Sequence, residues 1–191
     1  MSDRLFLSCT VRGFNETNLL RHFTTFLEQF PFSKLAQRGP VLRIYAVEHA
    51  EPPVFERELL LGATPDEMTA VAREFAKPDC CVEIDAAWDL WQYRDDWSLL
   101  PAAVTLACCG PRFESDEPRQ LQIEFGLDAL FLPNPSREGS LRMGESNLRS
   151  LLHLVNDISK ALPLTSRQLW SESGANFAEM LAETLGRFDV N

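Results

Sequence analysis

The sequence predicts an α+β fold: an antiparallel or mixed sheet of about six strands covered by four helices. Three observations carry this. The stretch from Cys80 to Leu132 holds three of the four tryptophans and four of the five cysteines, and it reads as three consecutive strands. Four other segments place apolar residues at helical spacing between Pro and Gly breaks. The first part of the chain runs strand, helix, strand, strand, helix, strand, the order of the ferredoxin-like (split βαβ) sandwich. At 191 residues the whole chain, 1–191, reads as one domain, with a βαββαβ-like unit over residues 1–93 and a sheet extension plus two helices over residues 94–191.

Taken in order, residues 4–12 set Leu5, Leu7, Cys9 and Val11 against Phe6, Ser8 and Thr10, a strand with one apolar face that Gly13 ends. Asn15 is placed to cap a helix, with Phe14 stapled on Leu19. That helix then puts Leu19, Leu20, Phe23, Leu27 and Phe30 on one stripe before Pro31. Residues 41–47 and 54–61 read as strands joined through Pro52 and Pro53, which favour a sheet edge because they cannot donate to a ladder. Thr64-Pro65-Asp66-Glu67 carries the strongest local signal: an N-cap, Pro at the first helical position and a capping box, followed by Met68, Val71, Ala72 and Phe75 on the inner side.

Residues 80–93 and 97–109 form a hairpin turning at Arg94-Asp95-Asp96, and residues 120–130 form a third strand in which Leu121, Ile123, Phe125 and Leu127 face inward. The polar segment 114–118 connects them. Pro133, Pro135, Gly139 and Gly144 mark residues 133–144 as a loop. Two amphipathic helices close the chain: one with Leu148, Leu151, Leu152, Val155, Ile158 and Leu162, the other over residues 174–185 with Phe177, Met180, Leu181 and Leu185, Gly186 standing as its C-cap. Glu16-Thr17-Asn18-Leu19 and Glu145-Ser146-Asn147-Leu148 both read as helix openings, which follows from the few residue types that cap helices well.

Composition narrows function. A net charge of -10 with scattered basic residues disfavours nucleic acid and anionic membranes, which reward clustered Lys and Arg. The N-terminus lacks the basic and apolar regions of a signal peptide, and the apolar run 99–110 is too short for a bilayer. A cytoplasmic protein is expected, and its five cysteines, an odd count, are expected to be reduced thiols.

Three constellations are candidates for chemistry. If the hairpin turns at Asp95, cross-strand partners sum to 190 and Cys81 lies opposite Cys109. Such a pair could bind a soft metal or cycle as a redox switch. No Cys-x-x-Cys or histidine close in sequence completes a zinc set, so these cysteines read as packing, and no metal or cofactor is expected. Glu83, Asp85 and Asp89 alternate along one strand and Glu124 and Asp128 along another, a carboxylate set that could serve a small enzyme or ligand-binding domain if the two strands share a face. Trp88, Trp91, Tyr93, Arg94 and Trp97 crowd the hairpin tip, the composition of an interaction hot spot, with Trp88 pointing away from Trp91 and Tyr93. His22, His49 and His153 belong to no recognisable triad, and Ser98 and Cys9 lack a nucleophile elbow. The favoured expectation is therefore a non-catalytic binding or regulatory protein that meets a protein partner, or a second copy of itself as a homodimer, through the aromatic hairpin or an open sheet edge.

Overall fold

A computed structural model describes residues 3–114, 120–134, 136–174 and 176–186. Its strands are β1 (Arg4–Val11), β2 (Val41–Ala46), β3 (Phe55–Glu58), β4 (Cys80–Tyr93), β5 (Trp97–Cys109), β6 (Leu121–Leu127) and β7 (Leu164–Ser171). Its helices are α1 (Leu19–Gln29), α2 (Pro65–Ala72), α3 (Ser140–Ala161) and α4 (Phe177–Gly186), with a 3-10 turn at Asp128–Leu130. The strands form one antiparallel sheet in the order β3-β2-β4-β5-β6-β1-β7.

That order is not ferredoxin-like. In the ferredoxin-like arrangement the first strand lies inside the N-terminal unit, whereas here β1 leaves that unit and pairs with β6 and β7. The sheet also has a seventh strand. Leu164-Thr165-Ser166-Arg167-Gln168 lies on a sheet edge with its middle residues exposed, so it carries no apolar alternation for a pattern to reveal.

Helices α1, α2 and α3 lie along one face. Leu5, Leu7, Cys9 and Val11 of β1 and Leu121, Ile123 and Phe125 of β6 point toward them and are buried. The alternation in β6 stops at Gly126, whose φ of 75° breaks the pleat. Leu127 is consequently thrown outward, 51% exposed, instead of joining the inner face.

Helix α1 begins later than its capping pattern suggests. Asn15 accepts from the Thr17 backbone N–H in a turn of its own, Asn18 stands at the N-cap, and Phe14 lies near the His22 ring. Phe26 joins the buried stripe, while Leu20 is half-buried. In α2 the capping box forms as the sequence predicts: Thr64 Oγ1 accepts from the Glu67 N–H and Glu67 Oε2 from the Thr64 N–H.

Helix α3 starts at Ser140, so residues 140–144 are helical rather than loop, and Asn147 lies two turns inside the helix rather than at an opening. Its buried residues are Ser140, Gly144, Asn147, Leu151, Leu154 and Ile158, at helical spacing. Leu152 lies off this stripe and is 54% exposed, and the stripe's first half, made of small and polar residues, is one that an apolar count passes over. The segment 114–118, apart from Glu114, lies outside the described residues, as do Pro135, the Leu185 side chain and any cap beyond Gly186. No helix among the described residues is long and apolar enough to cross a membrane.

Asn147 fastens α3 to the hairpin. It is 2% exposed, its Oδ1 accepts from the Trp91 N–H at 2.9 Å, and its Nδ2 donates to the carbonyls of Trp91 at 2.9 Å and Leu130 at 2.7 Å. Removing it leaves buried backbone groups without partners, each costing about 1–3 kcal/mol. The Asn147→Ala variant is expected to lose about 2–4 kcal/mol of stability, read from its urea unfolding midpoint at unchanged m-value.

Candidate functional site

The hairpin β4–β5 organises every candidate residue. Its register runs from Cys81↔Cys109 to Tyr93↔Trp97 without a break, so the expected sum of 190 holds along its whole length. With a side-chain period of two, odd-numbered residues of β4 turn to the face opposite the helices and even-numbered ones toward the core. Trp88 is therefore a core residue, 4% exposed, packed among Phe30, Phe125 and Phe131. Buried there, it forms no part of a surface patch.

Of the other tip residues, Trp91, Tyr93 and Trp97 border a cleft of about 390 Å³ that Leu127, Leu130 and Arg137 also line, among others. Tyr93 and Trp97, directly opposed, meet edge to face at 5.4 Å between centroids. The Arg137 guanidinium lies 5.0 Å from the Tyr93 ring centre, a cation–π contact. Trp97 Nε1 donates to the Glu138 carbonyl at 2.8 Å. Gly139, with φ 73°, passes so close that a Cβ there would stand 3.2 Å from that nitrogen. Arg94 lies exposed in the turn and does not line the cleft, so the arginine of the aromatic cluster is Arg137. No sequence signal pointed to Arg137, because the loop that brings it back is 40 residues downstream of the tip.

The carboxylates divide. Asp85, Thr105 and Glu124 are successive cross-strand neighbours on β4, β5 and β6, and Glu83 lies two residues along β4 on the same open face. Four of the five, Glu83, Asp85, Asp89 and Glu124, thus turn to one face, but only Glu83, Asp85 and Glu124 are neighbours on it. Asp89 is at the far end of β4, where it accepts from the Ser33 hydroxyl and from the Lys34 N–H at 2.8 Å. Asp128 is 2% exposed at the start of the 3-10 turn beyond β6.

Each open-face carboxylate has a partner. Asp85 pairs with Arg43 and accepts from Thr105 Oγ1 at 2.8 Å. Arg43 also binds Glu56 at 2.6 Å, and the two carboxylates hold its guanidinium charged. Glu83 bonds His49 Nε2 at 2.8 Å, and Glu124 lies 3.2 Å from Arg4. Beyond Glu83 the face turns apolar: Cys81, Ala107, Cys109 and Phe113 form a buried cluster against Tyr45, and His49 packs edge-on to Phe113 at 4.7 Å. Burial, with Glu83 next, raises the Tyr45 pKa.

Cys81 and Cys109 form a disulfide, which corrects the expectation of reduced thiols and simple packing at this pair. Cys9, Cys80 and Cys108 are free and buried. Burial pushes the Cys9 thiol up to about 12 and the Cys108 thiol up as well, so neither is a thiolate nucleophile. The disulfide sulfurs and an imidazole nitrogen of His49 all lie within 4.8 Å of one another. His49, remote from both cysteines in sequence, arrives because β2 pairs with β4, setting Tyr45 beside Cys81 four residues before it.

The comparisons with known proteins find no matching family model, no matching curated protein and no matching solved structure.

Desolvation raises the Glu124 pKa, and Glu83, Glu172 and Asp85 add to the rise against the pull of Arg4. The folded state thus holds the proton more tightly than the unfolded chain, so stability falls as pH rises from the ordinary glutamate range through the raised value. Glu124→Gln removes that loss. Its melting temperature is expected to exceed the parent's at pH 7.5, the two converging below pH 4, as thermal scans across that range would record.

Proposed function

We propose that this chain is a non-catalytic binding protein that acts through protein–protein contacts, with the cleft at the β4–β5 tip as its contact surface. The observation that carries the reading is the union of Trp91, Tyr93, Trp97 and Arg137 around one open cleft. Trp, Tyr and Arg are the residue types that dominate interface energetics. The Trp97 ring is held before any partner arrives by its indole bond to Glu138, and the main chain beneath Trp91 is fixed by Asn147, so less freedom is lost on binding. Exposed Leu127 extends the apolar rim.

The occupant that suits such a floor is a peptide segment of a protein partner presenting an aliphatic or proline side chain to the aromatic rings. A net charge of -10 opposes a second copy of the chain and gives no footing to nucleic acid or anionic lipid. The alternative, a small enzyme or ligand-binding domain on the carboxylate face, is less well supported. Asp85 and Glu124 are each committed to an arginine and Glu83 to the His49 imidazole, while Asp89 and Asp128 lie apart from them. A cytoplasmic location belongs to the same proposal. There the Cys81–Cys109 bond would be reducible, as cytosolic disulfides generally are.

A displayed peptide library selected on the full chain tests this. Selected peptides are expected to lose about 2 kcal/mol or more, a factor of about 30, on Trp91→Ala or Tyr93→Ala protein. Peptides that bind both variants as well as the parent, or a selection that returns nothing above background, would overturn the assignment. Sedimentation showing a dimer that Tyr93→Ala dissolves would keep the cleft and replace the partner with a second copy.

A further inference from the structure

The open face carries a second site. We propose that Cys81, Cys109 and His49 form a reduction-gated site for a soft divalent cation of the zinc class, closed as the disulfide and opened when the bond is reduced. Two thiolates and an imidazole are the ligand types such an ion prefers, and three protein ligands leave a fourth position for water. Their ligand atoms already lie within 4.8 Å of one another, although the ligands come from β4, β5 and the turn after β2. The sheet register holds them there, with Cys81 opposite both Cys109 and Tyr45.

Two further features fit an ion. Glu83 accepts from His49 Nε2 at 2.8 Å, which leaves the lone pair on Nδ1 and orients the ring, as a carboxylate behind a metal-binding histidine does. The sulfurs are buried between Phe113 and Tyr45, while the His49 side chain is 32% exposed, so the site is dry on the sulfur side and reachable through the imidazole. The nearby charges are mostly carboxylates, Glu83, Asp85 and Glu56 against Arg43, which favour a cation and offer little to a bare thiolate. This sets the pair apart from a catalytic dithiol, whose nucleophilic sulfur needs positive charge beside it.

Opening the site consumes a dithiol reductant. Its two thiols supply two electrons and two protons, the Cys81–Cys109 S–S bond breaks, two Cys thiols form, and the reductant leaves as its own disulfide. Binding of the cation then releases the two thiol protons to solvent. Oxidation by a disulfide of the same class reverses the sequence and expels the ion.

The test uses the full chain, reduced with a phosphine and desalted without oxygen, and Co²⁺ as the probe. One equivalent is expected to bind with a thiolate-to-cobalt charge-transfer band in the near ultraviolet, displaced by Zn²⁺, and the oxidised protein is expected to show no such band. His49→Ala and Glu83→Gln should each weaken binding about tenfold or more. Cys80→Ala, altered on the opposite face of the same strand, should leave the band and affinity unchanged. Circular dichroism of each variant separates loss of the site from loss of the fold. Equal Co²⁺ binding by oxidised and reduced protein, or by His49→Ala and parent, would overturn the proposal, as would a reduced parent that binds none.

Discussion

The unbroken antiparallel register of β4 against β5 is the constraint on which the rest of this structure depends. Because side chains alternate, a slip of one residue would exchange the two faces throughout the hairpin. Cys80, Val82, Ile84 and Trp88 would leave the helix-covered core, and Cys81, Glu83 and Asp85 would be forced into it. The cost of burying two carboxylates under α1 and α3 while exposing Trp88 far exceeds anything a turn sequence could recover. Register is thus enforced by the faces rather than by the Arg94-Asp95-Asp96 turn. Both halves of the molecule depend on it, since β2 attaches to one side of the hairpin and β6, then β1, to the other.

The hairpin is longer than the layer of helices needs, and its far end is supported differently. Near Cys81 the support is apolar contact and a covalent bond. Near Tyr93 it is hydrogen bonding: Asn147 of α3 takes the Trp91 backbone, and the turn before α3 takes the Trp97 indole. Helix α3 can approach this closely because its first turns present Ser140, Gly144 and Asn147 inward, and Gly144 lies against Pro133 where a Cβ would stand at 3.3 Å. The same small residues that let the helix in leave space above the strands, and the cleft between Trp91, Trp97 and Leu130 is that space. The cleft is therefore a consequence of how α3 is seated, and its walls are as rigid as that seating.

The sequence made the alternating elements legible, and long-range pairing was what it concealed. The hairpin, its turn and the Cys81–Cys109 opposition could be read because the turn is short and the pairing that centres on it also keeps the apolar face of each strand together. The α2 capping box could be read because it is chemistry within four residues. The position of β1 could not: an alternating strand advertises a face, never a neighbour, and local order suggested a compact N-terminal unit that β1 in fact leaves. β7 was hidden because an exposed edge needs no apolar residues, and the start of α3 because its inner face is small and polar. The site suffered in the same way. Arg43, His49, Thr105 and Arg137 each complete a constellation whose other members were visible, and each arrives by strand pairing or a returning loop.

The open face also balances its charges unevenly. Toward β6 it is a wet lattice in which Asp85, Glu124 and Glu83 are each held by a cation or an imidazole, a polar surface that needs nothing further to be stable. Toward the Cys81 end the polar lattice gives way to aromatic and sulfur atoms withdrawn from water. A disulfide and a pair of neutral thiols are alike in having no charge to solvate, so that end can change oxidation state without disturbing the burial that fixes the register. Chemistry at the sulfurs is in this way decoupled from the fold that positions them, while His49, anchored by Glu83, reaches from the solvated lattice into the dry end.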